Sequence, residues 1–256
     1  MSRKSYSFYI QPKDVDFQYQ VTPASLTNIL LAAAGKNADD NGFGLRDLNS
    51  MDHSWVLLSL AVEMDLFPLQ YETIHVETWV EEVRRATTIR NFQISNQNNE
   101  PIGKACSIWA MIDLKTRRAK DLLALDGIHA HATGETLPME KPIRLEAVEG
   151  QCYDSFKAKY SHIDINNHVS TIHYVEWICN YFTIKQFQQK NIARFEINFI
   201  NEIVFGDEVR IFAVEFKKDD FHFEIRKDEK VACRARIKFN EDITNGEPTP
   251  QGSQIR

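Results

Sequence analysis

The stretch SHIDINNHVS, residues 161–170, concentrates two histidines, one aspartate and two asparagines within ten positions. Hydrogen-bonding side chains at this density indicate a helix start, a metal site or a catalytic centre. For the first, Asn166 or Asn167 could cap a helix that starts near Val169, because asparagine is a preferred N-cap residue. Capping alone does not explain why Asp164 and His168 are present beside these asparagines.

A metal site would draw on His162, Asp164 and His168, which are all ligand types. The usual zinc spacings are missing, and no distant cluster of matching ligand types accompanies them. The pattern is therefore weak evidence for a metal, and we predict neither a metal nor a cofactor.

A catalytic centre follows if residues 162–166 are extended, because Asp164 and Asn166 then point to the same side. His168 would lie at the mouth of the following helix, where free N–H groups and the positive helix end favour an oxyanion. A carboxylate, an amide and an imidazole in this arrangement could support attack on an activated carbonyl. No serine nucleophile elbow and no glycine-rich phosphate loop accompany them.

Two long helices are predicted to flank these groups. Residues 22–42 offer Thr22 as N-cap and Pro23 at the first helical position, with Asn41 and Gly42 as a stop signal. Apolar residues at helical spacing predict a second helix over about 169–188.

Most of the remaining chain alternates between apolar and polar residues, which predicts strands with one wet face in an antiparallel sheet. The clearest cases are 58–66, 73–79, 195–199, 221–225 and 231–239. The order helix, strand, strand, hairpin occurs twice, which favours two similar modules. The predicted fold class is α+β, with one long helix against one antiparallel sheet in each module.

These patterns predict four segments in the 256-residue chain. They are a first module over 1–135, a linker over 136–150 with few periodic residues, a second module over 151–240 and a loose tail over 241–256. Net charge is −6, which gives no sign of nucleic-acid binding, and no apolar run is long enough for a membrane span. With no signal-peptide pattern at its start, the chain is predicted to be cytoplasmic.

The stretch DINNHVSTIHYVEW, residues 164–177, resembles the Asp-x-Asn-x-His-Val-Asn-Asn-x-x-Tyr-x-x-Trp signature of acyl-ACP thioesterases. Three stretches of the first half, 42–68, 76–82 and 107–122, are also similar to that family, so the resemblance covers most of 5–240. Without a plastid transit peptide, the chain resembles the bacterial members.

The resemblance implies two tandem hot-dog modules, each a long helix wrapped by an antiparallel sheet, and hydrolysis of fatty acyl-ACP. It places the chemistry in the second module, at Asp164, Asn166 and His168, with a fourth member, Glu202, late in the next strand. Glu202 would be the base or the nucleophile, and the other three would support it. Asp164 would hold or polarise His168, and Asn166 would help to bind the thioester oxygen.

Two positions depart from the family pattern. Family members often carry cysteine after the glutamate, but this chain has Ile203, which excludes a thiolate nucleophile there. Ser170 and Thr171 replace the usual two asparagines. Cys179 and Cys233 fall on apolar faces of the predicted helix and strand, so we interpret both as packing residues.

In the family, the first module supplies the acyl pocket. Candidate wall residues are Trp55, Leu58, Leu60, Met64, Ile108 and Met111. The partner, acyl carrier protein, is acidic and needs a local basic patch on this acidic chain. Candidate docking residues are Arg84, Arg85, Arg117, Arg118, Lys120, Arg234, Arg236 and Lys238. A homodimer remains an open alternative for the assembly.

Three other functions stay open on the sequence alone. An acyl-CoA thioesterase would use the same carbonyl chemistry on a different carrier. A hot-dog 3-hydroxyacyl dehydratase would also use a histidine with a carboxylate, but to remove a proton from carbon. A non-catalytic acyl-binding protein would keep the pocket without turnover.

Overall fold

The computed structural model describes residues 3–125 and 127–240, so the predicted tail 241–256 lies outside the described residues. The elements of the first half are β1 (Lys4–Tyr9), α1 (Pro23–Asp39), α2 (Leu45–Ser50), β2 (His53–Met64), β3 (Thr73–Val83), β4 (Thr88–Ser95) and β5 (Pro101–Asp113). Those of the second half are β6 (Gln151–Lys157), α3 (Thr171–Cys179), α4 (Ile184–Gln189), β7 (Ile192–Phe199), β8 (Glu208–Lys217), β9 (Asp220–Lys227) and β10 (Lys230–Phe239).

All ten strands form one antiparallel sheet in the order β1-β3-β4-β5-β2-β7-β10-β9-β8-β6. From the outer edge of the sheet to its centre, both halves have the same strand order. The first strand of the half lies at the edge, and its third, fourth, fifth and second strands follow toward the centre. The repeated order read from the sequence is therefore present, and the two repeats join where β2 pairs with β7. This is the predicted α+β double hot-dog fold, with α1 and α3 packed on one face of the sheet.

The first helix begins as predicted. Thr22 accepts a hydrogen bond from the Ser25 backbone N–H at 3.0 Å, and Pro23 occupies the first helical position. The helix ends at Asp39, shortly before Gly42, which adopts a positive φ of 76°. Among the described residues, no helix is both long enough and apolar enough to cross a membrane.

The second predicted helix is shorter than expected and is interrupted. Instead of a continuous helix over 169–188, α3 ends at Cys179 and α4 begins only at Ile184. Thr183 starts α4 through a capping box with Gln186, in which each side chain bonds the other's backbone N–H. The apolar periodicity continues across the break because Phe182 packs into the core between the two helices.

The inner face of the sheet carries the core in both halves. In β10 the alternating residues Cys233, Ala235, Ile237 and Phe239 are buried, as the pattern predicted. In the second half, aromatic rings fill the space between α3 and the sheet. Phe182, for example, makes edge contacts with several rings of the neighbouring strands.

The outer face of the sheet is less exposed to solvent than the alternation of apolar and polar residues predicted. Arg234 and Arg236 of β10 are tied to Glu224 and Asp220 of β9 by hydrogen bonds of 2.6–2.8 Å. Burial alone would raise the pKa of Glu224, but hydrogen bonds from Arg234 and Arg226 hold that pKa below its usual range. Charged residues alternate here with apolar ones because they pair with each other across strands, not because they are fully solvated.

Residues 136–150 form no helix or strand, and part of this segment lies across the outer face near the centre of the sheet. The backbone N–H groups of Ile143 and Leu145 donate to the side chains of Glu196 and Asn198 at 2.6 and 2.7 Å. Side chains of β7 thus hold this segment against the sheet.

Substituting Thr22 with alanine removes the cap of α1 and should lower the free energy of unfolding by about 1 kcal/mol. Urea denaturation measures the change. Ser170→Ala is the matched control, because Ser170 is the N-cap of α3 but makes no side-chain cap hydrogen bond. Equal losses in the two variants would contradict the assignment of the Thr22 cap.

Candidate active site

A tight turn, not a strand, presents the polar cluster. Asp164 accepts hydrogen bonds at Oδ1 from the backbone N–H groups of Asn166, at 2.8 Å, and His168, at 3.4 Å. The Asp164 N–H donates to the His168 carbonyl at 2.8 Å, which closes the turn. Asn167 has a φ of 62°, a left-handed conformation that asparagine tolerates better than most residues.

Two predictions about this stretch are therefore wrong. Residues 162–166 are not extended, because Asp164 bonds the backbone that follows it and folds the chain back. Neither Asn166 nor Asn167 caps the next helix, which begins at Thr171 with Ser170 as its N-cap.

The turn is anchored to the chain that follows β7. The Val169 N–H donates to the Ile203 carbonyl at 2.8 Å, and His168 forms an isolated antiparallel bridge with Val204. This pairing places Glu202, three residues beyond the end of β7, beside His168. Glu202 Oε2 lies 3.2 Å from His168 Nε2, so two of the predicted site residues are in direct contact.

Arg117 is a third member of this contact, and sequence reasoning missed that role. It lies in the turn after β5, in the first half of the chain, and its guanidinium donates to Glu202 Oε1. The sequence marked Arg117 only as a candidate docking residue, because nothing local indicates that it reaches a carboxylate in the other half. Glu202 is thus held at one oxygen by His168 and at the other by Arg117.

Within the described part of the chain, the Asp164 carboxylate makes no hydrogen bond to the imidazole ring of His168. Its hydrogen bonds run to backbone N–H groups of its own turn, in contrast to the predicted carboxylate–imidazole contact. The Asp164 carboxylate therefore fixes the backbone from which Asn166 and His168 project. Asp164 thus positions the backbone of His168 and shares no proton with the imidazole ring.

These groups line an open cleft of about 490 Å³. The side chains of His168 and Glu202 are 27% and 42% exposed, so water can reach both. Asp164, Asn166 and Arg117 also line the cleft. Tyr174 forms part of its wall, and burial raises the pKa of the Tyr174 hydroxyl, which keeps that group protonated.

The start of α3 faces the same cleft. Thr171 is the first residue of this nine-residue helix and lines the cleft with Asn166. N–H groups in a first helical turn lack acceptors within the helix, and the helix end carries partial positive charge. Together with the Asn166 amide, this end of the helix can stabilise negative charge on an oxygen.

A second cavity, of about 330 Å³, continues from the cleft into the first half of the chain. It lies between α1 and the inner face of the sheet and is lined mainly by apolar side chains. The residues common to cleft and cavity are Ser54, Trp55, Leu57, Asn166 and Thr171. The polar site therefore opens directly onto an apolar space.

The predicted acyl-pocket residues divide between wall and core. Trp55 lines both spaces and Leu58 lines the cleft. Leu60 and Met111 are fully buried in the hydrophobic core, so tight packing keeps them out of the cavity. Met64 borders a separate small void, and Ile108 lines none of the cavities described.

Most candidate docking residues already have acidic partners. Besides Arg117, Arg84 pairs with Glu82 and Arg85 with Asp121. Arg234 and Arg236 are held by β9 carboxylates, with side chains only 17% and 25% exposed, so they are poorly placed to receive an acidic protein. Arg118, Lys120 and Lys238 make no ion pair with the described residues.

Cys179 and Cys233 do not supply a nucleophile at this site. Burial raises the pKa of Cys179 to about 12 and also raises the pKa of Cys233, which disfavours the thiolate of both. Among residues 3–125 and 127–240, no group of three or more His, Cys, Asp or Glu side chains is placed to hold a metal ion.

Comparison with known proteins identifies relatives along nearly the whole chain. Family models of the acyl-ACP thioesterase N-terminal and C-terminal domains match residues 3–125 and 145–241. A crystal structure of an acyl-ACP thioesterase from Bacteroides thetaiotaomicron is similar, with a TM-score of 0.87 and 40% identity. That similarity covers 93% of this chain and 98% of the other.

Two further proteins are similar at lower identity. The structure of a putative oleoyl thioesterase from Lactobacillus plantarum shares the fold, with a TM-score of 0.81 and 21% identity over 93% of this chain and 96% of that one. A chloroplastic acyl-[acyl-carrier-protein] hydrolase of Cuphea viscosissima is 25% identical over 177 residues, 64% of this chain. The matched part spans 42% of the plant protein's length.

Replacing Asn167 with valine should lower the free energy of unfolding by about 1–2 kcal/mol, because a β-branched residue is strained at this positive φ. It should also displace His168 and slow hydrolysis of acyl thioesters. Asn167→Gly should preserve both properties. Urea denaturation and a thiol-release assay measure the two effects.

Asn99→Val is the matched control, because Asn99 has a φ of 63° in a turn that is not part of the site. It should lose similar stability and keep its hydrolysis rate. Full hydrolysis by Asn167→Val would show that the turn conformation does not position the site.

Proposed function

The chain belongs to the acyl-ACP thioesterase family, and from this premise we propose that it hydrolyses fatty acyl-ACP to free fatty acid and holo-ACP. This reaction belongs to fatty acid biosynthesis. A cytoplasmic location stays a prediction from the sequence.

The observation that carries the proposal is the His168–Glu202 contact at the entrance of an apolar cavity. A thioester is an activated acyl group, so hydrolysis needs an attacking oxygen, a site for the oxyanion and a place for the chain. The cleft offers a carboxylate that water can reach, donors at Asn166 and the α3 start, and an apolar space behind them.

In the proposed first step, Glu202 takes a proton from a water molecule as the water oxygen bonds to the thioester carbon. The carbonyl oxygen becomes the oxyanion of a tetrahedral intermediate, which Asn166 Nδ2–H and an N–H at the start of α3 stabilise. In the second step the carbon–sulfur bond breaks, the carbonyl re-forms, and the proton held by Glu202 passes to the departing sulfur.

His168 and Asp164 act as positioning residues in this mechanism. The contact between His168 Nε2 and Glu202 Oε2 orients the carboxylate. Asp164 holds the turn that presents both the imidazole and the Asn166 amide. The Glu202 side chain is 42% exposed, so a water molecule can lie beside its carboxylate, as a base role requires.

The fatty acyl chain would occupy the cavity beneath α1. Burial of each methylene contributes about 0.8 kcal/mol, so an apolar wall binds the chain without polar contacts. Trp55 and Leu57 line the passage between cleft and cavity. The carrier protein would remain outside, with only its prosthetic arm entering the cleft.

For the carrier protein, the turn after β5 offers the best-placed positive charge. Arg118 follows Arg117 directly and is exposed, and Arg117 itself lines the cleft. Lys120 is close in sequence and makes no ion pair with the described residues. An acidic carrier that docks on this turn would sit over the cleft with its acyl group aimed at Glu202.

Glu202→Gln should lower kcat for acyl-ACP by about 10²–10⁴-fold, because the amide cannot accept the proton of water. The measurement is single-turnover release of thiol and free acid. Unchanged melting temperature and retained binding of acyl-ACP serve as controls for folding. Hydrolysis at the wild-type rate by this variant would overturn the role of Glu202 as base, and an enoyl thioester as the wild-type product would overturn the proposed function.

Arg118→Glu should raise KM for acyl-ACP several-fold and weaken its salt dependence, because a rim charge acts mainly on encounter with an acidic partner. KM for a small acyl-pantetheine thioester should stay unchanged. Arg144→Glu is the control, since Arg144 is exposed in the segment across the opposite, outer face of the sheet. Equal KM changes for both substrates would place docking elsewhere.

A further inference from the structure

The backbone of Arg117 has an uncommon conformation for an arginine. Its φ is 58°, in the left-handed region that glycine, asparagine and aspartate occupy most readily. Three turns between neighbouring strands also contain a left-handed residue, and in these it is Asn99, Asp219 or Asp228. An arginine at such a position breaks the local turn preference, and departures of this kind are expected where function requires them.

The turn that carries Arg117 is built around the Asp113 carboxylate. Oδ1 of Asp113 accepts hydrogen bonds from the backbone N–H groups of Lys115, at 3.1 Å, and Thr116, at 2.8 Å, and from the Thr116 hydroxyl at 3.0 Å. The bond from the Thr116 N–H holds the pKa of Asp113 below its usual range. The Arg117 N–H donates to the Asp113 carbonyl at 2.8 Å, which closes the turn. None of these bonds uses the Arg117 side chain, so that side chain is not needed to form the turn.

The turn around Arg117 resembles the one that presents His168. In each of them an aspartate, Asp113 or Asp164, accepts hydrogen bonds from backbone N–H groups that follow it. In each, a residue with a left-handed φ comes next, Arg117 in the first half and Asn167 in the second. The two turns thus bring an arginine and a histidine from different halves of the chain to the same cleft.

The Glu202 carboxylate depends on these two side chains for its orientation. Among the described residues, its hydrogen-bonding partners are the His168 imidazole, at Oε2, and the Arg117 guanidinium, at Oε1. The Glu202 side chain is exposed and has three rotatable bonds, so solvent alone would leave it free to change rotamer. One contact would let the carboxylate rotate about the contacted oxygen, whereas two contacts at different oxygens fix the plane of the group.

Both contacts together still leave room for a water molecule at Glu202. The two oxygens of a carboxylate offer about four lone-pair sites, and His168 and Arg117 each occupy one of them. The remaining sites can accept a hydrogen bond from the attacking water, whose place beside the thioester carbon then follows from the plane of the carboxylate. Such placement matters, because a shift of about 1 Å can cost about 10²-fold in rate.

The neighbouring arginine differs from Arg117 in its surroundings. Arg118 is exposed and makes no ion pair with the described residues, whereas the charge of Arg117 is matched by Glu202. A cation that already has a carboxylate partner attracts a second acidic group less strongly than an unpaired one. Docking of an acidic carrier therefore accounts for Arg118 and does not account for the contact that Arg117 makes.

We propose that Arg117 is a positioning residue for thioester hydrolysis, which together with His168 fixes the Glu202 carboxylate in the orientation that places the attacking water. The left-handed turn at Arg117 then serves to bring a guanidinium of the first half to the base in the second half. Activity thus requires a side chain from each half at the same carboxylate. This inference rests on the proposed function for the role of Glu202.

The test uses Arg117→Asn, because asparagine suits the left-handed position and carries no charge. Its kcat should fall about 10–10²-fold for both acyl-ACP and a small acyl-pantetheine thioester. KM for the small thioester should stay unchanged, and the melting temperature should be retained or rise. Arg117→Lys keeps a cation and should retain more of kcat. Arg3→Gln is the matched control, because Arg3 is an exposed arginine paired with Glu135 beside the edge strand β1, and its kcat should equal that of the wild type.

A double variant shows whether Arg117 acts through Glu202. Adding Arg117→Asn to Glu202→Gln should change single-turnover hydrolysis less than about twofold, because the carboxylate that Arg117 positions is already absent. If Arg117→Asn does not fold, Arg117→Gly takes its place, since glycine also suits the left-handed turn.

Three results would overturn the proposal: a wild-type kcat in the folded Arg117→Asn, an effect confined to KM for acyl-ACP, or a further loss of about tenfold in the double variant. Each of them would leave the proposed function standing, because the wild-type protein would still hydrolyse the thioester. Release of no free acid by the wild-type protein from either substrate would instead refute the proposed function and the role of Arg117 together.

Discussion

The pairing of β2 with β7 is the interaction on which the rest of the structure depends. It joins two repeats of the same five-strand order into one sheet, through backbone hydrogen bonds between residues 59–63 and 194–198. Because the repeats share this seam, Asn166 and Thr171 of the second half line a cavity built by the first. Neither half alone contains both the polar turn and the apolar space. The seam therefore brings the polar turn and the apolar space together.

Local patterns in the sequence predicted the strands, the start of α1 at Thr22 and Pro23, and the repeated order of elements. They did so because alternation and capping act between near neighbours. The family signature then drew attention to His168 and Glu202, which the structure brings into contact. Residue patterns failed where distant segments decide the outcome. Asp164 folds its own turn instead of holding the imidazole, and Arg117 reaches Glu202 from 85 residues away.

The two faces of the sheet differ in the partners of their buried charged side chains. On the outer face, carboxylates such as Glu224 and Glu196 are almost fully buried, yet each is matched by arginines from its own or a neighbouring strand. Partners that share the burial limit the cost of desolvation. On the inner face Arg90 has only amide and hydroxyl partners. Arg90 is thus a buried arginine for which the described residues provide no carboxylate partner.

The aromatic filling of the second module has a consequence for how the protein can change over generations. Since the apolar cavity beneath α1 lies in the first repeat and the His168–Glu202 pair in the second, the proposed function assigns chain recognition and bond cleavage to separate halves of one polypeptide. Mutations that reshape the interior of the first half need not disturb His168 or Glu202. A fused duplicate of this kind can acquire new substrates while its reaction stays constant, which a single repeat performing both tasks could not do as freely.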